Sequence, residues 1–187
     1  RARRQGRRNP HSGHVDVTLQ TMISPLRANE WELLRSLRMA ALSESPDAFS
    51  PTAEAMAKTA VADWQRNAAR FAAHAKGALL IARPESGLMS AVQDDAGVGH
   101  IGAMWVRPQA RGTGLGAGLL DAGITLLEKA GCWIIELSVT ETNLKARTLY
   151  ESRGFSLTGS SEPLRPGSPL ANLFMRRHTA ADRVRTP

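Results

Sequence analysis

A glycine-rich segment in the second half of the chain constrains the fold more than any other feature. It reads Arg111-Gly112-Thr113-Gly114-Leu115-Gly116. It follows an apolar run over residues 98–106 and precedes a stretch with helical periodicity. Glycines let the backbone approach a ligand closely, and successive N–H groups at a helix N-terminus form a site for an anion such as a pyrophosphate. The segment therefore predicts a strand, an anion-binding turn and a helix in that order.

The sequence around this segment predicts a mixed sheet. Short apolar runs separated by turn sequences predict an antiparallel meander over residues 78–82, 88–92 and 98–106. A helix over 114–130 then leads to a nearly continuous apolar run at 132–139, which makes that strand parallel to 98–106 through a right-handed crossover. Two more strands are predicted at 155–160 and 170–175, joined by a loop over 162–169. The fold class is α/β in the α+β sense, with a mixed, mostly antiparallel central sheet flanked by helices.

Helical segments are predicted before, within and after this sheet. Ser24 suits an N-cap and Pro25 a first helical position, so a helix is predicted to begin there. Its buried face would carry Trp31, Leu34, Leu37 and Ala41. A loop over 43–51 and a second helical stretch over 52–75 follow. The helix over 114–130 is predicted to bury Leu115, Leu119, Ala122 and Leu126.

The chain of 187 residues fits one domain with tails. Residues 1–13 are interpreted as a disordered basic tail, 14–178 as the domain with a first strand at 15–19, and 179–187 as a C-terminal tail. The formal charge is +7, of which five positive charges lie in the first eight residues, on Arg1, Arg3, Arg4, Arg7 and Arg8. Such an arm could contact nucleic acid, but an arginine-rich end is more often a tail, so we do not assign a nucleic-acid partner.

The single cysteine and the hydropathy pattern favour a cytoplasmic protein. Cys132 has no partner for an internal disulfide and is flanked by apolar residues, which favours a buried position in a reducing compartment. No stretch approaches the roughly 18 apolar residues of a membrane span, and no apolar run follows the N-terminal arginines as a secretory signal would require. We therefore expect no membrane partner.

A second group of residues lies on the predicted helix from Asn143 to Gly154. Asn143, Ala146 and Tyr150 are spaced i, i+3 and i+7, so they share one face. The small alanine leaves space for a narrow ligand, the amide can bond polar groups, and the phenol can donate a proton. An ordinary amphipathic helix whose tyrosine fills the core has the same spacing. Nucleotide hydrolysis is disfavoured because the last glycines lack the Lys-Ser/Thr of a Walker loop.

The two groups together resemble the GNAT superfamily of N-acetyltransferases. In that family Arg-x-x-Gly-x-Gly precedes a pyrophosphate-binding helix, and Asn-x-x-Ala-x-x-Leu-Tyr precedes Gly-Phe. Both patterns are present here in that order, and the second ends at Gly154-Phe155. A dinucleotide-binding fold fits less well, since Ala117 stands at its third glycine position.

The resemblance implies a V-shaped opening between the strands that end near Val106 and Val139, with the pantetheine arm of acetyl-CoA lying in it. The cofactor-binding residues it implies are Met104, Trp105, Val106, Arg111, Gly112, Thr113, Gly114, Leu115, Gly116, Asn143 and Ala146. Backbone groups of Met104 and Val106 would bond the arm, and Tyr150 would protonate the departing thiolate. Acetyl-CoA would be the acetyl donor, and no metal is implied.

The resemblance leaves the catalytic base and the acceptor amine open. The strand over 98–106 lacks the glutamate that some members carry, so Glu141 is the first candidate base and His100 the second, with water as a further alternative. A catalytically silent acyl-CoA-binding sensor or assembly module is the alternative function. The acceptor is a small molecule or a protein amine, and a homodimer stays open.

Overall fold

Seven strands form one sheet within residues 22–181, the part of the chain that the computed structural model describes. The strands are β1 Ile23–Pro25, β2 Gly77–Ala82, β3 Gly87–Gln93, β4 Val98–Val106, β5 Ile134–Thr140, β6 Ser156–Pro163 and β7 Ala171–His178. Their order in the sheet is β1-β2-β3-β4-β5-β7-β6. β4 and β5 are parallel, and every other neighbouring pair is antiparallel. The prediction of a mixed, mostly antiparallel sheet is confirmed.

Helices cover both faces of this sheet. They are α1 Trp31–Glu44, α2 Ala53–Ala57, α3 Val61–Ala72, α4 Leu115–Lys129 and α5 Leu144–Glu151. One buried cluster joins α1 and α3 to Leu79, Ile81 and Trp105, and the other joins α4 to Leu80 and Met89. Because successive residues of a strand point to opposite faces, α1–α3 lie on one face and α4 and α5 on the other. We call these the α1 face and the α4 face.

The parallel pair β4–β5 is joined over a short distance only. Val98, Gly99 and His100 pair with residues 134–136, and the two strands have no further paired residues. Near this divergence β4 carries one extra residue relative to β3, since Leu88 pairs with Trp105 but Ser90 pairs with Gly102. Such a bulge bends the strand that carries it. The two strands therefore form a V that is closed at His100 and open toward Val106.

The N-terminal helix does not begin where the sequence predicted it. Ser24 and Pro25 belong to β1, which pairs antiparallel with β2, and α1 begins at Trp31. The Ser24 hydroxyl accepts a hydrogen bond from Arg83 Nε at 2.8 Å instead of capping a helix. Pro25 is tolerated because it lies in an edge strand. The prediction was wrong because the strand partner lies more than fifty residues away in the sequence.

The predicted helix over 52–75 is two helices, α2 and α3. Thr52 caps α2 by accepting a hydrogen bond from the Ala55 N–H at 3.2 Å, and Ala60 has an extended backbone, with ψ of 151°, before α3. This turn lets Trp64 and Ala68 pack against α1. The many alanines of the segment favour helix throughout and gave no signal of the break.

The buried face of α4 is displaced from the predicted stripe. Leu115 and Leu119 are buried as predicted, whereas Ala122 and Leu126 are only partly buried. The remaining buried positions of α4 are Leu120, Gly123, Ile124 and Leu127. A Cβ at Gly123 would lie 2.2 Å from Met89 Cε, so the helix approaches the sheet closely at that glycine. This close approach rotates the buried face by about one position along the helix.

The described residues end close to the predicted C-terminal boundary of the domain but begin after its predicted first strand. The basic tail and the strand predicted at 15–19 lie outside the described residues. At the other end, the Thr179 side chain is buried, and its hydroxyl donates a hydrogen bond to the Cys132 carbonyl at 2.7 Å. Packing therefore continues at least one residue beyond the predicted boundary at 178. Among the helices of residues 22–181, none has both the length and the apolar character needed to cross a membrane.

Ala103, in the bulge of β4, gives a test of the strand geometry. Its φ is +53°, a left-handed conformation that costs an L-residue about 1–2 kcal/mol and costs glycine little. We expect Ala103→Gly to raise the free energy of unfolding by about 0.5–1 kcal/mol, measured by urea denaturation. Ala91→Gly is the matched control, because Ala91 is fully buried in β3 and does not have a positive φ. A loss of stability in both variants would contradict the assigned bulge.

Candidate active site

The V between β4 and β5 contains a cavity of about 550 Å³ that reaches both faces of the sheet. On the α4 face it is lined by Arg111, Gly112, Gly116, Asn143, Ala146, Leu149 and Tyr150. On the α1 face it is lined by Arg38, Ser45, Ala48, Phe49, Ser50 and Pro51. The gap thus connects the glycine-rich segment on one side with the end of α1 on the other. Two ligands could enter from opposite faces and meet between the strands.

The glycine-rich segment leaves backbone N–H groups available at the start of α4. Gly114 is the N-cap with φ of +89°, and Gly112 has φ of +79°, conformations that glycine adopts without strain. The first α-helical hydrogen bond runs from the Gly118 N–H to the Gly114 carbonyl at 2.9 Å. No side chain caps the helix. The N–H groups of the first turn therefore lack helical partners, which suits an anion.

Gly116 lines the cavity and has no side chain to project into it. A Cβ at this position would lie 3.7 Å from both Leu149 Cδ2 and Met104 Cε, which is ordinary van der Waals contact. The protein itself would accept an alanine here. The added methyl group would instead occupy space along the cavity wall, next to the free N–H groups of α4.

The edge of β4 that faces the opening carries unpaired backbone groups. The Arg107 N–H donates to the Ser86 carbonyl at 2.8 Å, so Arg107 faces β3. Because neighbouring residues of a strand direct their backbone groups to opposite edges, Met104 and Val106 face the opening. The Val106 carbonyl accepts a bond from Arg111 Nε at 2.9 Å. The Val106 N–H and the backbone of Met104 are left for a ligand that lies along the strand.

The three residues predicted to share a face of α5 all line the cavity. Asn143 is the N-cap of α5, and its Oδ1 accepts a hydrogen bond from the Ala146 N–H at 3.2 Å. No described residue bonds Asn143 Nδ2, so that amide can donate to a ligand. Tyr150 lies about two turns beyond Asn143 and lines the same space. The i, i+3, i+7 spacing therefore has the geometric consequence expected from the sequence.

Tyr150 is a buried phenol next to the opening. Its hydroxyl donates to the Met104 sulfur at 3.6 Å, which is a weak acceptor, and its ring packs edge-on against Phe155 with centroids 6.2 Å apart. Burial raises the pKa of Tyr150 to about 12. The phenol is therefore protonated at neutral pH and can donate a stronger hydrogen bond to a ligand atom that replaces the sulfur.

Several predicted site residues lie outside the lining of the cavity. Thr113 and Gly114 are exposed, and Leu115 is buried in the core, so these residues shape the turn. Thr113 Oγ1 stabilises that turn by donating to the Ala110 carbonyl at 2.8 Å. Trp105 does line the cavity, but its indole belongs to the core of the α1 face.

The two candidate bases are both engaged elsewhere. Glu141 does not line the cavity, and its carboxylate accepts a hydrogen bond from the Ala171 N–H at 2.9 Å. His100 lies at the closed end of the V, is exposed, and pairs with Asp94 at 2.8 Å. No carboxylate or imidazole of the described residues lines the cavity. The structure thus brings most of the predicted cofactor-binding residues together with Tyr150, and neither of the two candidate bases.

Glu44, the last residue of α1, was not singled out by the sequence and holds the site together. Its Oε2 accepts hydrogen bonds from Trp105 Nε1 at 3.0 Å, from Arg111 Nη2 at 2.5 Å and from Ser45 Oγ at 2.5 Å. The Arg111 hydrogen bond is the main reason that the pKa of Glu44 is lowered to about 2. This carboxylate therefore joins α1, β4 and the glycine-rich segment. Only the long-range fold reveals it, because Trp105 and Arg111 are each more than sixty residues away in the sequence.

Glu44 gives a prediction about acid stability. A carboxyl group whose pKa is lower in the folded state stabilises the fold above its unfolded pKa, near 4.5, and this contribution is lost as the pH falls toward 2. We expect Glu44→Gln to be less stable than the wild type at pH 6, with the difference shrinking between pH 4.5 and pH 2. Urea denaturation across this range measures it. The exposed Glu54→Gln is the control, and a Glu44→Gln deficit that does not change with pH would contradict the ion pair.

Comparison with known proteins agrees with this geometry. The model of the acetyltransferase (GNAT) family matches residues 39–155. A mycothiol acetyltransferase from Propionibacterium freudenreichii subsp. shermanii is 29% identical over 167 residues, which are 86% of this chain and 50% of that protein. The chain spans about half, or less, of the length of the first curated relatives it matches.

Solved structures share the fold at low sequence identity. A GNAT acetyltransferase from Streptococcus pneumoniae superposes with a TM-score of 0.74 at 17% identity, covering 84% of this chain and 98% of that one. A protein from Salmonella typhimurium, solved with its cofactor acetyl-CoA, superposes with a TM-score of 0.65 at 19% identity, covering 83% of this chain and 92% of that one. Since the family model matches more than half of the sequence, this chain belongs to the GNAT acetyltransferase family.

Proposed function

We propose that this protein is an N-acetyltransferase that transfers the acetyl group of acetyl-CoA to an amine by direct attack in a ternary complex. One observation carries the proposal: a single cavity joins the uncapped N-terminus of α4 to the buried hydroxyl of Tyr150. An anion site and a proton donor at the two ends of a narrow opening suit a donor with a pyrophosphate at one end and a thioester at the other.

The donor would bind from the α4 face. Its pyrophosphate would accept hydrogen bonds from the N–H groups of the first turn of α4, where the helix dipole also favours negative charge. Arg111 lines this end, but Glu44 and the Val106 carbonyl already hold its guanidinium. We therefore assign the main phosphate contacts to the backbone and a supporting role to Arg111.

The arm of the donor would lie along β4 in the position of a missing strand. The backbone of Met104, the N–H of Val106 and the amide of Asn143 are the groups that can bond its polar atoms. Ala146 lines the other side of the cavity, and its small side chain leaves space for the arm. This arrangement would bring the thioester toward Tyr150.

Tyr150 is the proposed general acid. The amine nitrogen attacks the thioester carbonyl, the carbon–sulfur bond breaks, and the thiolate takes the phenolic proton, after which the Tyr150 phenolate regains a proton from water. A raised pKa keeps this proton on Tyr150 until a thiolate forms nearby. The N–H of Val106 is the proposed donor to the oxyanion. Because no described carboxylate or imidazole lines the cavity, the proton of the amine would leave through water rather than through Glu141 or His100.

The acceptor is an amine of a small molecule or a protein, and it would enter from the α1 face. The relative from Propionibacterium is named for mycothiol, but this chain covers only half of that protein, so its acceptor is not carried over. A cytoplasmic location and a homodimer stay predictions.

Gly116→Ala tests the proposed donor site without threatening the fold. We expect the variant to be as stable as the wild type or more so, by up to about 1 kcal/mol, because alanine favours helix over glycine. Its affinity for acetyl-CoA should fall at least about tenfold, because the added methyl group would push the donor away from the N–H groups of α4. A tenfold change corresponds to a loss of roughly 1.4 kcal/mol of binding free energy. Calorimetric titration and thermal unfolding measure both. Thr125→Ala, an exposed position of the same helix, should gain stability and keep its affinity; equal affinities in both variants would contradict the donor site.

Tyr150→Phe tests the chemical step. We expect the Kd for acetyl-CoA to change little and kcat to fall about 100- to 1,000-fold, because the ring packing is kept and the proton donor is lost. Release of free thiol in the presence of a panel of amines measures kcat. If acetyl-CoA binds but the wild type acetylates no amine, the protein is a silent acyl-CoA-binding module. If acetyl-CoA does not bind, the proposed function is wrong.

A further inference from the structure

The guanidinium of Arg38, on α1, has no charged or hydrogen-bonding partner among the described residues. It lines the cavity, and its Nη1 is enclosed by protein without any hydrogen-bond partner. No other atom of Arg38 forms a hydrogen bond or an ion pair with a described residue. Its one polar contact is with the ring of Phe49, whose centroid lies 5.2 Å from Arg38 Cζ.

Arg38 is partly buried, and a guanidinium nitrogen that is enclosed without an acceptor is costly to a fold. A buried charge destabilises the folded state unless it is paired, and buried arginine nitrogens normally have acceptors. Burial also lowers the pKa of Arg38, which shows the same loss of solvation. The stacking against Phe49 offsets only part of this cost. A residue that weakens the fold in this way is explained if a ligand supplies the missing negative charge.

The other positively charged side chains near the cavity are already bonded to protein groups or are exposed to solvent. Arg111 is held by Glu44 and the Val106 carbonyl. Arg165 donates to the Pro46 and Phe49 carbonyls at 3.0 Å each and to Asp47 at 3.3 Å. Lys145 lines the cavity but is exposed on α5. Since no acidic residue in the described chain lines the cavity, nothing there can neutralise Arg38.

Arg38 lies on the side of the sheet opposite the proposed donor site. The glycine-rich segment and Tyr150 are on the α4 face, whereas Arg38 is on α1 with Phe49. Arg165 ties the turn after α1 to the loop before β7 by bonding the backbone of Phe49, the residue whose ring packs against Arg38. A ligand that meets Arg38 therefore comes from the acceptor side.

Polar groups of β5 and β7 lie on the same side. Val139 packs in the core of the α4 face, so Ser138 and Thr140 point to the α1 face. Thr140 is buried, its Oγ1 has no partner, and it lies opposite Asn172 in the sheet. Both residues line the cavity. Arg38 Nη1 and Thr140 Oγ1 are thus two enclosed polar atoms without a hydrogen-bond partner on the side where the acceptor would bind.

We propose that Arg38 binds an anionic group of the acceptor, so that the acceptor is an amine that also carries a carboxylate or a phosphate. This inference rests on the proposed function and specifies its second substrate. The planar guanidinium pairs with two oxygens of either group. An acceptor with several positive charges, such as a polyamine, would be repelled by the same residue.

Matched pairs of amines test the inference. Leucine is compared with leucinamide for the carboxylate and O-phosphoethanolamine with ethanolamine for the phosphate, at saturating acetyl-CoA. We expect the wild type to favour the anionic member of at least one pair by tenfold or more in kcat/KM. Arg38→Met should lose about 10- to 100-fold on that member and little on its neutral counterpart, with the KM for acetyl-CoA unchanged. The pair that shows the preference identifies the anion.

Arg35→Met is the matched control, because Arg35 is an exposed arginine one turn earlier on α1 that does not line the cavity. It should keep the preference of the wild type. Arg38→Lys should recover part of the loss, whereas Arg38→Met should unfold at the same temperature as the wild type or a higher one, since it removes an unpaired buried charge. A lower melting temperature with equal loss on both members of each pair would make Arg38 a structural residue and overturn the inference.

A binding measurement separates this inference from the proposed function. Saturation-transfer NMR with succinate and methylphosphonate, and with succinamide as the neutral probe, reports anion binding to protein loaded with CoA. Signals from at least one anion should be several-fold stronger in the wild type and Arg35→Met than in Arg38→Met. Equal signals, or acetylation of neutral amines only, would overturn the role of Arg38 and leave the transferase assignment standing. Failure to bind acetyl-CoA would overturn the transferase assignment itself.

Discussion

The early end of pairing between β4 and β5 is the constraint on which the site depends. Backbone groups buried without partners destabilise a fold, so two neighbouring strands that separate after three residue pairs need another source of hydrogen bonds. The bulge at Ala103 bends β4 away, and no strand of residues 22–181 fills the gap. An extended ligand arm is the simplest partner for that edge. The cavity is therefore a consequence of the sheet topology rather than of loops added to it.

Glu44 is one of the residues that hold the elements around this gap together. The two strands have no paired residues beyond His100, so polar bonds from outside the sheet hold the elements around the opening. Glu44 fixes the β4 side of the gap to α1 by bonding the indole of Trp105 and the guanidinium of Arg111. Arg165 does the same at the other edge by holding the turn after α1. These two sets of polar bonds connect the end of α1 to the elements on both sides of the opening.

Local patterns predicted the parts of the fold that depend on local structure. The meander, the helix after the glycine-rich segment and the Asn143 cap each follow from residue types within a few positions of one another. By contrast, β1 depends on a distant strand, and the break before α3 depends on packing against α1. The sequence signal for a helix start at Ser24 and Pro25 was real, but tertiary pairing outweighed it. Propensity decides an element only where no stronger long-range contact competes.

The same division applies to the site. The residues proposed to meet the donor could be predicted from the sequence, because their proposed role depends on backbone shape, which glycines and an N-cap reveal. The proposed acceptor side is built from single residues of α1, β5 and β7 that carry no shared pattern. Arg38 resembles any other arginine of an amphipathic helix until the fold encloses it next to Phe49. What distinguishes it is a missing partner, and a missing partner is a property of three-dimensional packing. Functional groups of this kind are found by asking which buried polar atoms the protein leaves unbonded.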